Sequence, residues 1–183
     1  DDRGDVERAV IQVPELRGFE QFAVGRPVAE MSRITPRICG VCPTAHHMAA
    51  GKAADAVFGV EPTATARKIR ELIYNSFYFE DHTLHFFFLG GPDFIVGPTA
   101  PAGARNVVGV IGKVGLEIGG KVIEARKVAR EFMAEMAGKV IHPVFGLPGG
   151  VSKPLKADMV GRLKATSQHL IDFAQFSLQA FHD

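Results

Sequence analysis

Apolar residues recur at helical spacing in three long stretches of the chain. From Pro62 onward they follow one another at three, four or longer multiples of a helical turn, which predicts a helix that stops at Gly90-Gly91-Pro92. Residues 106–136 and 157–181 continue this pattern, and residues 139–153 between them have the composition of a loop. The first stripe consists of Ile69, Leu72, Ile73, Phe77, Leu84 and Phe88. Because aromatic residues also occupy the other faces of this first helix, we expect it to be buried on all sides.

Two shorter elements precede these helices. Residues 6–13 include several β-branched residues and are followed by Pro14, a pattern typical of a short edge strand that needs partners from elsewhere. Pro43 suits the first position of a helix, where its missing N–H is not needed, and strong helix formers continue from Ala45 to Val57 before Gly59. The predicted fold class is therefore mainly α (α+β), a long-helix bundle with a small N-terminal β segment.

The composition favours one globular domain. The chain has 183 residues, of which 46% are hydrophobic and 22% charged, enough for a sizeable core. We interpret residues 1–183 as a single-domain fragment. Twenty acidic and 21 basic residues leave a net charge of +1, which disfavours nucleic acid and anionic membranes as partners. The most apolar stretch of the first long helix, residues 86–89, is far shorter than the roughly 20 residues of a membrane span.

The cysteine content predicts a reducing compartment. Cys39 and Cys42 are the two cysteines of the chain, and they lie too close in sequence to staple distant parts of a secreted domain. Residues 1–5 are polar and show no basic segment followed by an apolar one. We therefore expect a cytoplasmic protein.

The candidate chemistry lies in one short segment, Arg37-Ile38-Cys39-Gly40-Val41-Cys42-Pro43-Thr44-Ala45-His46-His47. A C-x-x-C pair by itself serves zinc, iron-sulfur and thiol–disulfide chemistry alike. Gly40 allows backbone angles that point both sulfurs at one centre, and a helix N-terminus after Cys42 together with Arg37 is expected to lower the pKa of the thiols. His46 lies one helical turn beyond Cys42, where its ring is suited to a hydrogen bond with that sulfur.

The string R-x-C-G-x-C-x-x-x-H resembles the N-terminal signature of nickel-iron hydrogenase large subunits. The resemblance runs from about Val13 to Pro154. The residues around the motif are most similar to those of the methyl-viologen-reducing, heterodisulfide-reductase-linked branch. Further segments that match the family are Arg17-Gly18-Phe19-Glu20 with Gly25-Arg26, Asp81-His82-Thr83-Leu84-His85-Phe86, and His142-Pro143 with Pro148-Gly149-Gly150. The chain thus resembles the N-terminal half of such a large subunit.

The resemblance implies a role for each residue of the motif. Cys39 would be a terminal nickel ligand and Cys42 would bridge nickel and iron, since soft thiolates suit both metals. Arg37 and His46 would orient these sulfurs, and His82 would lie on the histidine-bearing helix behind the metals. In the family the iron carries carbon monoxide and cyanide ligands, and dihydrogen is cleaved heterolytically.

The resemblance also implies partners. Electrons would leave through the clusters of an iron-sulfur small subunit, with further electron-transfer subunits of the heterodisulfide-reductase type. The family's second cysteine pair, in D-P-C-x-x-C-x-x-H, is absent from this sequence, so the resemblance implies a further partner, the missing C-terminal half of the large subunit, while the place of the second pair stays open.

Other interpretations stay open at this point. A structural zinc site could combine the two cysteines with His46 and His82. A non-catalytic scaffold, like the related subunits of respiratory complex I, would keep the fold without the metals. His142 before Pro143 either fixes a turn or supports the metal site, and Gly149-Gly150 either forms a turn or allows close approach to a cofactor.

Overall fold

The amino-terminal segment lacks the predicted strand in its described part. A computed structural model describes residues 3–6, 8–12 and 18–182, and residues 8–12 form no strand in it. A strand exists only where another backbone pairs with it, and no described segment does so here. Val10 and Ile11 are 72% and 94% exposed. The prediction of a β segment is therefore wrong for residues 8–12. Val13, Pro14 and Arg17 lie outside the described residues.

Short helices lead to the cysteine loop. Helix α1 spans Phe19–Ala23 and α2 spans Val28–Ile34, which continues directly into a 3-10 turn at Thr35–Ile38. After the loop, α3 spans Pro43–Phe58 and ends where Gly59 adopts the left-handed region, with φ of 62°. The helix predicted after Cys42 is confirmed, with the proline at its first position.

The second predicted helix is longer than the sequence pattern suggests. Helix α4 spans Ala64–Leu84, and the Thr63 hydroxyl caps it by accepting from the Ala66 N–H at 3.2 Å. The helical path then continues in wide π turns over His85–Gly90 and Pro92–Val96 before Gly97 ends it. The prediction that Gly90-Gly91-Pro92 stops the helix is therefore wrong.

Glycine makes these π turns possible. A Cβ atom added at Gly91 would overlap the carbonyl oxygen of Phe86, five residues earlier, so the backbone itself fills this space. Helix α4 is also less buried than expected, because Tyr78 remains 47% exposed and Leu89 in the π segment is 58% exposed. Its buried stripe, centred on Ile73, faces the core along one side.

The carboxyl-terminal half contains two more long helices and a small hairpin. Helix α5 spans Val107–Ala137, capped by the Asn106 side chain, and α6 spans Met159–His182, as predicted. Gly115 takes φ of 86° and kinks α5. Strands β1 (Gly146–Leu147) and β2 (Gly150–Val151) pair antiparallel in the connection between these helices. The fold class is confirmed as mainly helical, and the small sheet of the described residues lies in this hairpin.

Two apolar clusters form the core around α4 and α5. The larger cluster joins α3, α4, α5, the hairpin and α6, and the smaller one joins the π segment, α5 and α6. Their buried members are Met48, Ile69, Ile73, Phe132, Met136, Ala137, Phe145 and Leu163 in the first, and Phe87, Val122, Ala125 and Phe173 in the second. None of the helices in the described part of the chain combines the length and apolar character that crossing a bilayer requires.

A buried ion pair fastens the hairpin to α3 and α4. The Arg70 guanidinium donates to both carboxylate oxygens of Asp55 at 2.6 and 3.3 Å, and both side chains are at most 10% exposed. Arg70 also donates to the carbonyl oxygens of Leu147 and Gly150, and the N–H of Gly149 donates to Asp55 at 2.7 Å. Because Arg70 and Gly149 donate to it, the pKa of the Asp55 carboxyl is lowered despite burial.

A second buried carboxylate joins α4 to α5. One oxygen of Glu80 accepts from Arg126 at 2.6 Å and from Arg130 at 3.0 Å, and the Arg126 guanidinium lies 5.0 Å from the centre of the Phe88 ring. These arginines are bound to a buried acid rather than forming a solvated helix face.

We expect Asp55→Ala to destabilise the fold by about 3–5 kcal/mol, because it leaves the Arg70 charge buried without a partner. Chemical denaturation of the two proteins measures this difference. Glu61→Ala is the matched control, since Glu61 forms an exposed ion pair with Arg67 at the start of α4 and its loss should cost about 0–1 kcal/mol. Equal costs for the two variants would contradict the role of the buried pair.

We expect Gly91→Ala to destabilise the protein by about 1–3 kcal/mol, because the added methyl group displaces the Phe86 carbonyl. Gly112→Ala in α5 is the control: its Cβ meets nothing within 4 Å, and alanine should stabilise this helix by about 1 kcal/mol. Thermal unfolding midpoints should therefore move in opposite directions, and a shift of the same sign in both would refute the prediction.

Candidate metal centre

The cysteine loop is shaped by the elements on its two sides. The 3-10 turn Thr35–Ile38 ends at Cys39, whose backbone is extended, and Cys42 is the residue that precedes the first turn of α3. The N–H of Cys42 donates to the sulfur of Cys39 at 3.2 Å. Both cysteines are free thiols and half-buried. The loop therefore turns both sulfurs towards one point beside the N-terminus of α3, where the helix dipole favours negative charge.

His46 completes a cluster of three donor atoms. The sulfurs of Cys39 and Cys42 and a ring nitrogen of His46 all lie within 4.8 Å of one another. This follows from the i, i+4 spacing of Cys42 and His46 at the start of α3, which places the imidazole over the first turn. Thiolates and imidazole together suit a thiophilic transition-metal ion such as nickel or zinc. The predicted grouping of these three residues is thus present.

The two thiols differ in acidity. Burial raises the pKa of Cys39, but hydrogen bonds from the Cys42 thiol and from the N–H groups of Cys42 and Val41 outweigh it, so the net shift is downward. Burial, the hydrogen bond to Cys39 and the charge of Cys39 raise the pKa of Cys42 to about 11. The expected lowering of the pKa is therefore confirmed for Cys39 and wrong for Cys42, because burial and the hydrogen bond to Cys39 favour the protonated form of Cys42. A metal ion bound by both sulfurs would replace that proton.

Two of the predicted site residues lie outside this cluster. Arg37 is exposed on the 3-10 turn, and its charge acts on His142. His82 is exposed on α4, where its Nδ1 lies 2.8 Å from the Tyr78 carbonyl oxygen and its ring stacks on the Tyr78 ring at 5.3 Å. The structure brings neither side chain into the group of three donors.

Asp81, the neighbour of His82, acts on the cluster from α4. Its negative charge raises the pKa of both Cys39 and Cys42. The sequence drew attention to the histidines of this segment, and the carboxylate beside them was missed. The helical period could have drawn attention to Asp81, because consecutive residues of a helix point in directions about 100° apart and so face different surroundings.

His47 has a structural role that the sequence did not reveal. Its side chain is fully buried and packs against the Phe145 ring at 4.7 Å. Its Nδ1 lies 2.7 Å from the Ser32 carbonyl oxygen, and its Nε2 accepts from the N–H groups of Phe145 and Gly146 at 3.1 and 2.8 Å. These partners require a neutral ring that carries its proton on Nδ1.

The loop before the hairpin supports the turn interpretation of its histidine and glycines. His142 has a positive φ of 53°, a strained conformation, and its buried Nδ1 has no hydrogen-bond partner within the described residues. Burial and then the charge of Arg37 lower the pKa of His142. Gly149 takes φ of 75°, and the hairpin carbonyls are used by Arg70, so Gly149-Gly150 serves turn geometry.

Comparison with known proteins agrees with this geometry. The family model for the nickel-dependent hydrogenases matches residues 17–104, which include the cysteine loop and α4. An iron-sulfur subunit of the F420-non-reducing hydrogenase from Archaeoglobus profundus is 45% identical over the whole chain. The chain belongs to the nickel-dependent hydrogenase family. The corresponding vhu subunit of the F420-non-reducing hydrogenase from Methanocaldococcus jannaschii is 43% identical over 96% of the chain, which confirms the predicted heterodisulfide-reductase-linked branch.

Solved hydrogenase structures have the same fold. An NAD-reducing nickel-iron hydrogenase in its dihydrogen-reduced state superimposes with a TM-score of 0.83 at 35% identity, covering 91% of this chain and 37% of that one. A nickel-iron-selenium hydrogenase of Dm. baculatum gives a TM-score of 0.76 at 32% identity, covering 88% and 36%. The chain spans 38% and 42% of the length of the two curated relatives above. The nickel-dependent family fits the two convergent sulfurs of this loop.

We expect the stability of the chain to fall as pH drops below about 6.5, because burial lowers the pKa of His47 in the fold relative to the unfolded chain. The contribution of His47 to stability is fully present above the pKa of histidine in the unfolded chain. It is lost as pH falls through the pKa of His47 in the fold, because a protonated Nε2 cannot accept the two hydrogen bonds. Denaturant titrations at about pH 8 and about pH 5 measure it.

His47→Gln should remove most of this pH dependence, and the remainder belongs to His142, whose pKa is also lowered. His169→Gln is the control, because His169 is exposed on α6 and the variant should behave like the wild type. An unchanged slope in His47→Gln would contradict the role of His47.

Proposed function

We propose that this chain supplies one half of a nickel-iron centre in the catalytic subunit of a hydrogenase. In the completed protein, dihydrogen would be cleaved heterolytically and electrons passed to the iron-sulfur clusters of a partner subunit. The observation that carries the proposal is the convergence of Cys39, Cys42 and His46 within 4.8 Å at the start of α3, in a chain of the nickel-dependent hydrogenase family.

Each residue of the loop has a distinct task in this proposal. Cys39 would bind nickel alone, and Cys42 would bridge nickel and an iron that carries carbon monoxide and cyanide. The lowered pKa of Cys39 supports its readiness to bind a metal, and the hydrogen bond from the Cys42 N–H holds its sulfur in place. His46 would hold the sulfurs in orientation. Arg37 and His82 keep their proposed supporting roles, which would require groups from outside the described chain.

The proposal includes partners and a location. Two sulfurs and an imidazole leave the bimetallic centre incomplete, so we propose that the C-terminal half of the large subunit provides the remaining thiolates. An iron-sulfur small subunit, and further subunits of the heterodisulfide-reductase type, would carry the electrons away in the cytoplasm. The similarity to F420-non-reducing hydrogenases supports this choice of branch. The apolar clusters that join α3, α4, α5 and α6 support one domain over residues 1–183.

Metal analysis of the complete assembly tests the proposal against its rivals. Nickel and iron bound near Cys39 support it. Zinc alone would favour a structural site, and a protein without metal would favour a non-catalytic scaffold like the related complex I subunits.

We expect Cys42→Ser to abolish dihydrogen-dependent dye reduction and to lower the nickel content of the complete assembly, because a hydroxyl is too hard and too weakly acidic to bridge the metals. Val41→Ser is the matched control: Val41 lies between the two cysteines, is 52% exposed, and receives the same hydroxyl group. It should retain activity. Far-ultraviolet circular dichroism should show the same helical content in both variants, and wild-type activity in Cys42→Ser would refute the bridging role.

A further inference from the structure

We infer that Cys39 and Cys42 are a site of reversible oxidative modification: in the metal-free chain they form a disulfide with each other, with a low-molecular-weight disulfide such as oxidised glutathione as the oxidant. The inference rests on the proposed function only for the consequence of the bond, which is that metal loading is blocked. The reduced pair is then the form of the loop that is competent to bind metal.

The two sulfurs are placed for bonding to each other. They lie within 4.8 Å of one another, and the sulfur of Cys39 is 3.2 Å from the backbone nitrogen of Cys42. Rotation about the Cα–Cβ bond of Cys42 can therefore turn its sulfur towards that of Cys39. A disulfide bond is about 2.05 Å long, so the sulfurs have to approach further. The loop between them has room for this movement, because Gly40 is exposed and a Cβ atom built there meets nothing within 4 Å.

The two cysteines have different parts in the reaction. The N–H of Cys42 donates to the sulfur of Cys39 beside the N-terminus of α3. Such a hydrogen bond and the helix dipole stabilise a thiolate, and the thiolate is the nucleophile of thiol–disulfide exchange. Cys39 is therefore the attacking residue, and Cys42 is the residue that completes the exchange.

The exchange takes place in two steps that balance. The Cys39 thiolate attacks one sulfur of oxidised glutathione, whose S–S bond breaks, and one glutathione thiolate leaves. The Cys42 sulfur then attacks the Cys39 sulfur, the bond from Cys39 to the glutathionyl group breaks, and the second glutathione leaves with the Cys42 proton. Two thiols are oxidised to one disulfide, and one oxidised glutathione is reduced to two molecules of glutathione.

The surroundings of the loop admit this oxidant. Both cysteines are half-buried rather than enclosed, and Val41 between them is 52% exposed. Arg37 is exposed two residues before Cys39, and its positive charge attracts the carboxylates of oxidised glutathione. A small anionic disulfide can therefore reach the attacking sulfur from the solvent.

The disulfide and a bound metal exclude each other. A metal held by both cysteines requires two thiolates, and the disulfide leaves neither sulfur ionisable. Since the 183-residue chain has no other cysteine, this is the one disulfide that it can form within itself. A reducing environment keeps the loop ready for metal, and an oxidising one closes it before loading.

The test is treatment of the reduced, metal-free 183-residue chain with oxidised glutathione, followed by mass spectrometry of the intact chain and of its peptides. We expect the loss of two hydrogen atoms, a bond mapped to Cys39 and Cys42, and full reversal by dithiothreitol. In glutathione redox buffers the disulfide should be at least about 10-fold more favourable in the folded chain than in guanidinium chloride, because the fold already brings the sulfurs together. Circular dichroism establishes which samples are folded.

Two variants test the order of attack. Cys42→Ser should stop at a mixed disulfide between Cys39 and glutathione, because the second thiol is missing. Cys39→Ser should react at least about 10-fold more slowly than Cys42→Ser, because its remaining thiol lacks the hydrogen bond that Cys39 accepts. Val41→Ser keeps both thiols and is the matched control, which should form the disulfide like the wild type.

No disulfide in the folded wild type, or a disulfide equally favourable in the folded and unfolded chains, would overturn the inference. Equal rates for the two cysteine variants would overturn the assignment of Cys39 as the attacking residue.

The complete assembly separates this inference from the proposed function. With nickel and iron bound at the loop, it should resist the same treatment. A disulfide in the metal-free chain, together with an assembly that lacks nickel, would uphold the modification site and refute the hydrogenase proposal. Nickel in the assembly, together with no disulfide in the metal-free chain, would do the reverse.

Discussion

Buried hydrogen bonds between α3 and the hairpin hold the cysteine loop in place. His47 near the start of α3 and Asp55 near its end both reach the segment 145–150, through the N–H groups of Phe145 and Gly146 and that of Gly149. Arg70 binds the same hairpin from α4. Since buried polar groups are costly when they lose their partners, these contacts permit one arrangement of the three elements. These contacts therefore also fix the position of Cys42, which lies next to the first turn of α3.

The proposed metal half-site combines this rigid support with partly exposed donor residues. Cys39, Cys42 and His46 are each half-buried, and Val41 between the cysteines is half-exposed. Behind the loop lies a small cavity of about 90 Å³ that is lined by Gly40, Thr44, Glu80 and Arg130, among others. The buried salt bridges of Glu80 hold α4 and α5 together at this point. A site whose supporting helices are fixed by buried contacts and whose donor residues are partly exposed can accept further ligands without a change in its backbone.

The two sulfurs and Asp81 set the electrostatics of the loop. Hydrogen bonds lower the pKa of Cys39 against the effect of burial, while burial and the hydrogen bond to Cys39 raise the pKa of Cys42. In the proposed function, a cation bound by both sulfurs would replace the Cys42 proton and would attract the two thiolates and Asp81. This arrangement supports the proposed binding of a cation at the loop.

Local sequence was enough to specify α3, the three long helices apart from the end of the first of them, and the grouping of the three donors. Helical hydrogen bonds and the spacing of Cys39, Cys42 and His46 are local, so the period of apolar residues and the C-x-x-C-x-x-x-H pattern predicted both. Which residues surround the donors depends instead on the tertiary fold. The described residues 8–12 form no strand, the paired strands lie in the hairpin, and the π turns continue past Gly91. His47 and Asp81, rather than Arg37 and His82, came to act on the loop and its support. Pairing partners, burial and electric fields arise between segments far apart in the chain, and no local pattern specifies them.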